Sequence, residues 1–140
     1  MFSFEKIRFS GDFFYEDYFN VRFLDLNAGN HLSNDKFLSY LTEVDESFFR
    51  SKNKTLSNID GCSLFVARSL IEFKKEILYP ERVHIRIGLM DIKKKSVIFY
   101  YEMQRSDGVI ACKAVKEMAF VRNDTNKVIN PNDVSYIFNS

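Results

Sequence analysis

An α+β fold, one long helix against a wide antiparallel sheet, is predicted by three features of the sequence. Apolar residues recur at helical spacing in one long stretch, about 34–51. Beyond residue 61 the chain keeps the two-residue alternation of strands through to about residue 122. Phe and Tyr are used 15 and 7 times against 5 Gly and no Trp, and such rings favour pleated, half-buried surfaces. With 140 residues, 46% of them hydrophobic, the chain is expected to form a single domain over 1–140 with a sizeable core.

Each element follows from its own pattern. Phe2, Phe4, Ile7 and Phe9 alternate loosely and meet the turn signal Ser10-Gly11-Asp12, so the sheet is expected to hold five or six strands. From Phe13 to Leu26 the chain is aromatic and β-branched enough for a first long strand, which Asn27-Ala28-Gly29-Asn30 breaks. Phe37, Leu41, Val44 and Phe48 then form one helical stripe, widened by Tyr40. Ser33 or Asn34 is placed to cap this helix, with acidic Asp35 in its first turn. Residues 63–75 read as a strand closed by Tyr79-Pro80-Glu81. Val83, Ile85, Ile87 and Leu89 alternate with His84, Arg86 and Gly88, and Val97, Phe99, Tyr101 and Met103 alternate with Ile98, Tyr100, Glu102 and Gln104. Ser106-Asp107-Gly108 is a hairpin turn into a last strand over 109–122.

Composition excludes several classes. Lys and Arg number 20 against 19 Asp and Glu, so no bulk charge favours nucleic acid. Cys62 and Cys112 lack metal-ligand spacing and read as buried thiols in a reducing compartment; no metal or separate cofactor is expected. Apolar runs of four or five residues are far too short for a membrane span, and a cytoplasmic location is expected.

The joint between the first strand and the helix carries a motif. Val21-Arg22-Phe23-Leu24-Asp25-Leu26-Asn27-Ala28-Gly29-Asn30-His31-Leu32-Ser33-Asn34, followed by Phe37, Tyr40 and Glu43, resembles the opening signature of hotdog-fold acyl-CoA thioesterases of the 4-hydroxybenzoyl-CoA thioesterase group. Val66 to Phe73, with Tyr79-Pro80-Glu81-Arg82-Val83, resembles that family's second strand and following turn. The resemblance implies a hotdog fold, a helix wrapped by a curved antiparallel sheet. It implies hydrolysis of an acyl-CoA or acyl-carrier-protein thioester, with coenzyme A present only as part of the substrate. It also implies a homodimer paired through residues 63–75, or a tetramer built from it, with the active site near the helix N-terminus. The family's polarising amide falls on the backbone N–H of Asn34. Substrate contacts are implied for Tyr40, Arg68 and Ser69.

One position departs from the pattern. The family's second acidic residue is Asn27 here, and an amide is neither a base nor a useful nucleophile at neutral pH. Asn27 retains the ability to orient water or the thioester oxygen. The proton acceptor is then His31, aligned with the motif's His, or Glu43 on the helix. Asp25 lies two residues before Asn27, so on a strand both would share one face; capping or pairing with Arg22 is its competing role. The runs Lys74-Lys75 and Lys93-Lys94-Lys95 are candidates to meet coenzyme A phosphates. Two other readings stay open. One is a non-catalytic acyl-CoA binder that has lost its acid. The other is a hotdog enoyl-CoA hydratase using Asp25 and His31.

Overall fold

The computed structural model describes residues 1–139. It contains β1 (Phe13–Asn20), α1 (Asn34–Ser51), β2 (Cys62–Phe73), β3 (Arg82–Ile92), β4 (Val97–Gln104) and β5 (Ile110–Arg122), with short 3-10 turns at Phe23–Asp25, Pro131–Asp133 and Ser135–Phe138. The five strands form one antiparallel sheet in the order β1-β3-β4-β5-β2. One long helix against a five-stranded antiparallel sheet is the hotdog arrangement that the motif implies.

α1 covers the helical stripe as expected. Phe37, Leu41, Val44 and Phe48 are buried against the sheet, with Tyr40 and Phe49 beside them. Each large apolar side chain so buried contributes about 1.5–3 kcal/mol. The helix ends where Asn53 takes φ 62°, a left-handed conformation that Asn tolerates, while the Lys54 amide donates to the Phe49 carbonyl. The facing surface of the sheet supplies Val83, Ile85 and Ile87 from β3, Val97, Phe99 and Tyr101 from β4, and Met118 and Phe120 from β5. Phe138 closes the far end against Phe14, Phe48 and Phe99.

A buried charge pair crosses this core. Lys116 of β5 and Asp45 of α1 are each 2% exposed, with Nζ 2.7 Å from Oδ2. The Tyr101 hydroxyl donates to the other Asp45 oxygen at 2.7 Å. Burial pushes the Asp45 carboxyl above its ordinary range, and Lys116 and Tyr101 pull it back.

Two expectations change. The first strand stops at Asn20, and Phe23–Asp25 folds into a 3-10 turn because the Tyr40 hydroxyl captures it: the Arg22 amide donates to Tyr40 at 3.0 Å. Residues 2–9 form no sixth strand. They lie instead on the outer face of the sheet, where the Ile7 amide donates to Glu72 at 3.1 Å and Phe9 stacks on Tyr100 at 4.6 Å. Gly88 permits this approach, since a Cβ there would meet the Phe9 ring at 2.4 Å.

β2 is an edge strand, and its middle, Phe65 to Ser69, is exposed. Phe65, an aromatic of this strand, lies outside the core at 61% exposed.

Candidate functional site

The turn between β1 and α1 is built by Asn27. Its Oδ1 accepts from the Gly29 amide at 2.9 Å and the His31 amide at 3.2 Å, and its own amide donates to the His31 carbonyl at 2.8 Å. Such a side-chain-to-backbone turn is the ordinary use of Asn in a tight loop. The chain then pairs briefly with the segment after β2: the Leu32 amide donates to the Ile77 carbonyl at 2.7 Å, and His31 bridges Leu78. That pairing brings Glu76 beside His31, with Nε2 3.2 Å from Oε2.

A cavity of about 360 Å³ opens at this junction. Asn27, His31 and Asn34 line one side, Phe37 and Phe73 form an apolar wall in edge-to-face contact at 5.1 Å, and Lys74, Lys75 and Glu76 rim it. Ser33 occupies the cap position of α1, yet its hydroxyl bonds the Asp35 carboxylate and not the helix amides. That contact holds the Asp35 carboxyl below its ordinary value. The Asn34 amide starts the helix and has no intrahelical acceptor, so it is an available donor where the helix dipole favours negative charge.

The other expected site residues lie elsewhere. Asp25 is buried and accepts from the Tyr40 hydroxyl at 2.7 Å, so its carboxylate forms no ion pair with the Arg22 side chain and shares no strand face with the exposed Asn27. The reason is the 3-10 turn, which swings Asp25 inward. Tyr40 is itself buried, its hydroxyl held between Arg22 and Asp25, and burial pushes it up to about 12. It therefore stabilises the turn and presents no free hydroxyl to a substrate. Glu43 lines a separate groove of about 240 Å³ with Arg22, Asp25, Lys36 and Tyr40. Within one chain, the expected set thus divides into Asn27, His31 and Asn34 in one cavity and Asp25, Tyr40 and Glu43 in another. Arg68 and Ser69 sit on the exposed middle of β2, and Arg68 grips Glu117 at 2.5 Å across the strands. This contact, with Ser96 and Lys93, holds the Glu117 carboxyl down at about 2. Lys93 is thereby engaged at 3.3 Å, away from the cavity. Among the described residues no helix is long and apolar enough to cross a membrane.

Sequence reasoning missed Glu76 and the Phe73 wall. Glu76 lies in an irregular segment whose place depends on pairing with residues more than 40 positions earlier, and no local pattern marks it.

Known proteins agree with this architecture. The structure is similar to a DHNA-CoA thioesterase from Staphylococcus aureus, at 16% identity and a TM-score of 0.75, covering 84% of this chain and 80% of that one. It is similar to a 1,4-dihydroxy-2-naphthoyl-CoA thioesterase from Synechocystis, at 16% identity and a TM-score of 0.78, covering 89% and 94%. A hypothetical protein from Staphylococcus aureus, solved in complex with CoA, matches at 15% identity and a TM-score of 0.78, covering 94% and 85%. These likenesses establish the fold. No curated protein matches the sequence. The sequence model of the thioesterase-like superfamily matches residues 21–137, from the β1–α1 joint into the last 3-10 turn. The chain belongs to the thioesterase-like superfamily.

Proposed function

We propose that this chain hydrolyses an acyl-CoA or acyl-carrier-protein thioester in the cavity at the start of α1. The observation that carries this reading is the meeting of an imidazole, an open helix amide and an apolar wall in one cavity: His31, Asn34, and Phe37 with Phe73. The acyl group lies against the Phe37–Phe73 wall, with the thioester carbonyl toward the Asn34 amide. Water attacks the carbonyl carbon, His31 accepts its proton, and the Asn34 N–H stabilises the oxyanion. Collapse expels the thiolate, which recovers the proton from His31. Lys74 and Lys75 at the rim attract the phosphates of the coenzyme. The hydratase alternative loses support, because Asp25 and His31 line different cavities.

The exposed middle of β2 supports pairing with a second copy through residues 63–75, since a long edge strand leaves a row of unpaired backbone groups. Such a dimer would bring partner residues to the cavity, which is the route by which Arg68, Ser69 and Glu43 enter the site.

Thiol release from a panel of acyl-CoAs tests the reading. At least one is hydrolysed by the wild type, and His31→Ala lowers kcat by about 10²-fold or more. A panel on which the wild type is inactive overturns it. One observation favours a non-catalytic acyl-CoA binder: the Asn27 oxygen is occupied by its own turn, and no carboxylate replaces it at that position. Tight acyl-CoA binding without turnover, unchanged by His31→Ala, would establish that second reading.

A further inference from the structure

We propose that Glu76 is the positioning carboxylate of a His31–Glu76 dyad, replacing across the loop the acid that Asn27 lacks; this rests on the hydrolysis reading above. Four observations converge. Glu76 Oε2 is 3.2 Å from His31 Nε2, and both residues line the cavity that contains Asn34. Backbone fixes the contact: Leu32 bonds Ile77 at 2.7 Å and His31 bridges Leu78, so Glu76 cannot slide past the ring without breaking that register. The backbone of His31 is itself held by Asn27 through both its amide and its carbonyl. Finally, Nδ1 lies on the Asn27–Gly29 side of the ring, where a Cβ added to Gly29 would stand 3.8 Å from it.

The consequence is a defined tautomer. With its carboxylate oxygen 3.2 Å from Nε2, the negative charge of Glu76 favours the ring proton on that nitrogen, so the free lone pair resides on Nδ1. Nδ1 takes the proton of the attacking water as the carbon–oxygen bond forms, and Glu76 stabilises the resulting imidazolium without itself being protonated. When the carbon–sulfur bond breaks, the Nδ1 proton passes to the leaving thiolate, giving one acid and one thiol per water consumed. Asn27 thus has a constructive place. It trades the acid for a turn that presents His31, and the acid is supplied from the segment after β2.

The test combines kinetics with a readout that needs no substrate. Glu76 is 69% exposed at its side chain, so Glu76→Ala leaves the fold intact. In the wild type, imidazole 15N–1H correlation spectra show His31 with its proton on Nε2; in Glu76→Ala that population falls. Glu76→Ala lowers kcat by about 10-fold to 100-fold with KM little changed, and Glu76→Asp recovers part of the loss. In a His31→Ala background, Glu76→Ala has no further effect. A His31 tautomer that ignores Glu76→Ala overturns the dyad even where thioesters are hydrolysed, as does a Glu76→Ala enzyme with wild-type kcat. A wild type inactive on every thioester, but with a tautomer that depends on Glu76, overturns the hydrolysis reading and leaves the dyad standing.

Discussion

Replacing Lys116 with Met probes the charge pair that spans helix and sheet. The substitution keeps much of the side chain's volume and removes its ammonium, so its effect is chiefly electrical. Asp45 keeps the Tyr101 hydroxyl at 2.7 Å but loses the Nζ at 2.7 Å, and at 2% exposure water cannot replace it. Breaking one half of such a pair costs about 3–5 kcal/mol, because the remaining charge is uncompensated. An unfolding entropy of about 2.1 cal/mol/K per residue converts this to a fall in Tm of roughly 10–17 °C for a chain of this length. The pH dependence follows from Asp45. Burial already holds its folded-state pKa above the ordinary 3.8, so its stabilisation is full below that value and is lost as pH rises through the folded value. Without Lys116 the folded value rises further. The gap between wild type and Lys116→Met is therefore widest at neutral pH and narrows as pH falls through the raised Asp45 value, where the variant's Asp45 folds protonated. Urea unfolding followed by circular dichroism measures this directly; the chain has no Trp to report by fluorescence. A loss below about 1 kcal/mol at neutral pH, or one that stays constant as the pH is lowered into the acid range, refutes the reasoning. The triple variant Asp45→Leu, Tyr101→Phe, Lys116→Met removes every polar partner together and is expected to regain most of the stability.

Three further outcomes are expected. Tyr40→Phe strips the hydroxyl shared by the Arg22 amide and the buried Asp25 carboxylate, costing about 2 kcal/mol in urea unfolding. Asn27→Asp keeps an acceptor for the Gly29 and His31 amides and stays within about 0.5 kcal/mol of wild type, whereas Asn27→Ala loses about 1 kcal/mol. The Cys62 and Cys112 thiols are both buried, and burial pushes Cys112 up to about 12. Thiol titration of the native protein near neutral pH should therefore count no fast-reacting group, and titration in urea should count both.

The fold was legible where side chains obey one period. The helical stripe from Phe37 to Phe48 predicts α1 at its observed bounds, and the alternations after residue 82 locate β3 and β4. Local pattern misleads where a tertiary contact overrides it. Val21, Phe23 and Leu26 continue the apolar character of β1, yet the Tyr40 hydroxyl folds that stretch into a turn. The alternation of Phe2 to Phe9 suggested a strand, but those residues dock by side chains and form no ladder. The Asp45–Lys116 pair did leave a trace. Lys116 falls on the inward register of Cys112, Ala114, Met118 and Phe120, and Asp45 lies between Leu41 and Phe49 on the inner helix face. Of the cavity at the start of α1, the motif named three lining residues, Asn27, His31 and Asn34. It could not show that Asn27 spends its oxygen on the turn, because that depends on where the Gly29 and His31 amides point. Nor could it bring Glu76 to His31, a contact made by distant backbone pairing.

The Phe9 ring resting on Gly88 has a consequence for assembly. While Ile7 and Phe9 are seated, the Glu72 carboxylate and the Tyr100 ring beneath them are covered against any second sheet. Back-to-back stacking of two chains through that patch and seating of the leading segment are mutually exclusive occupations of one surface. The segment is tethered to its own target, so it competes at an effective concentration on the order of millimolar. A partner arriving from solution must outbid a ligand that never diffuses away.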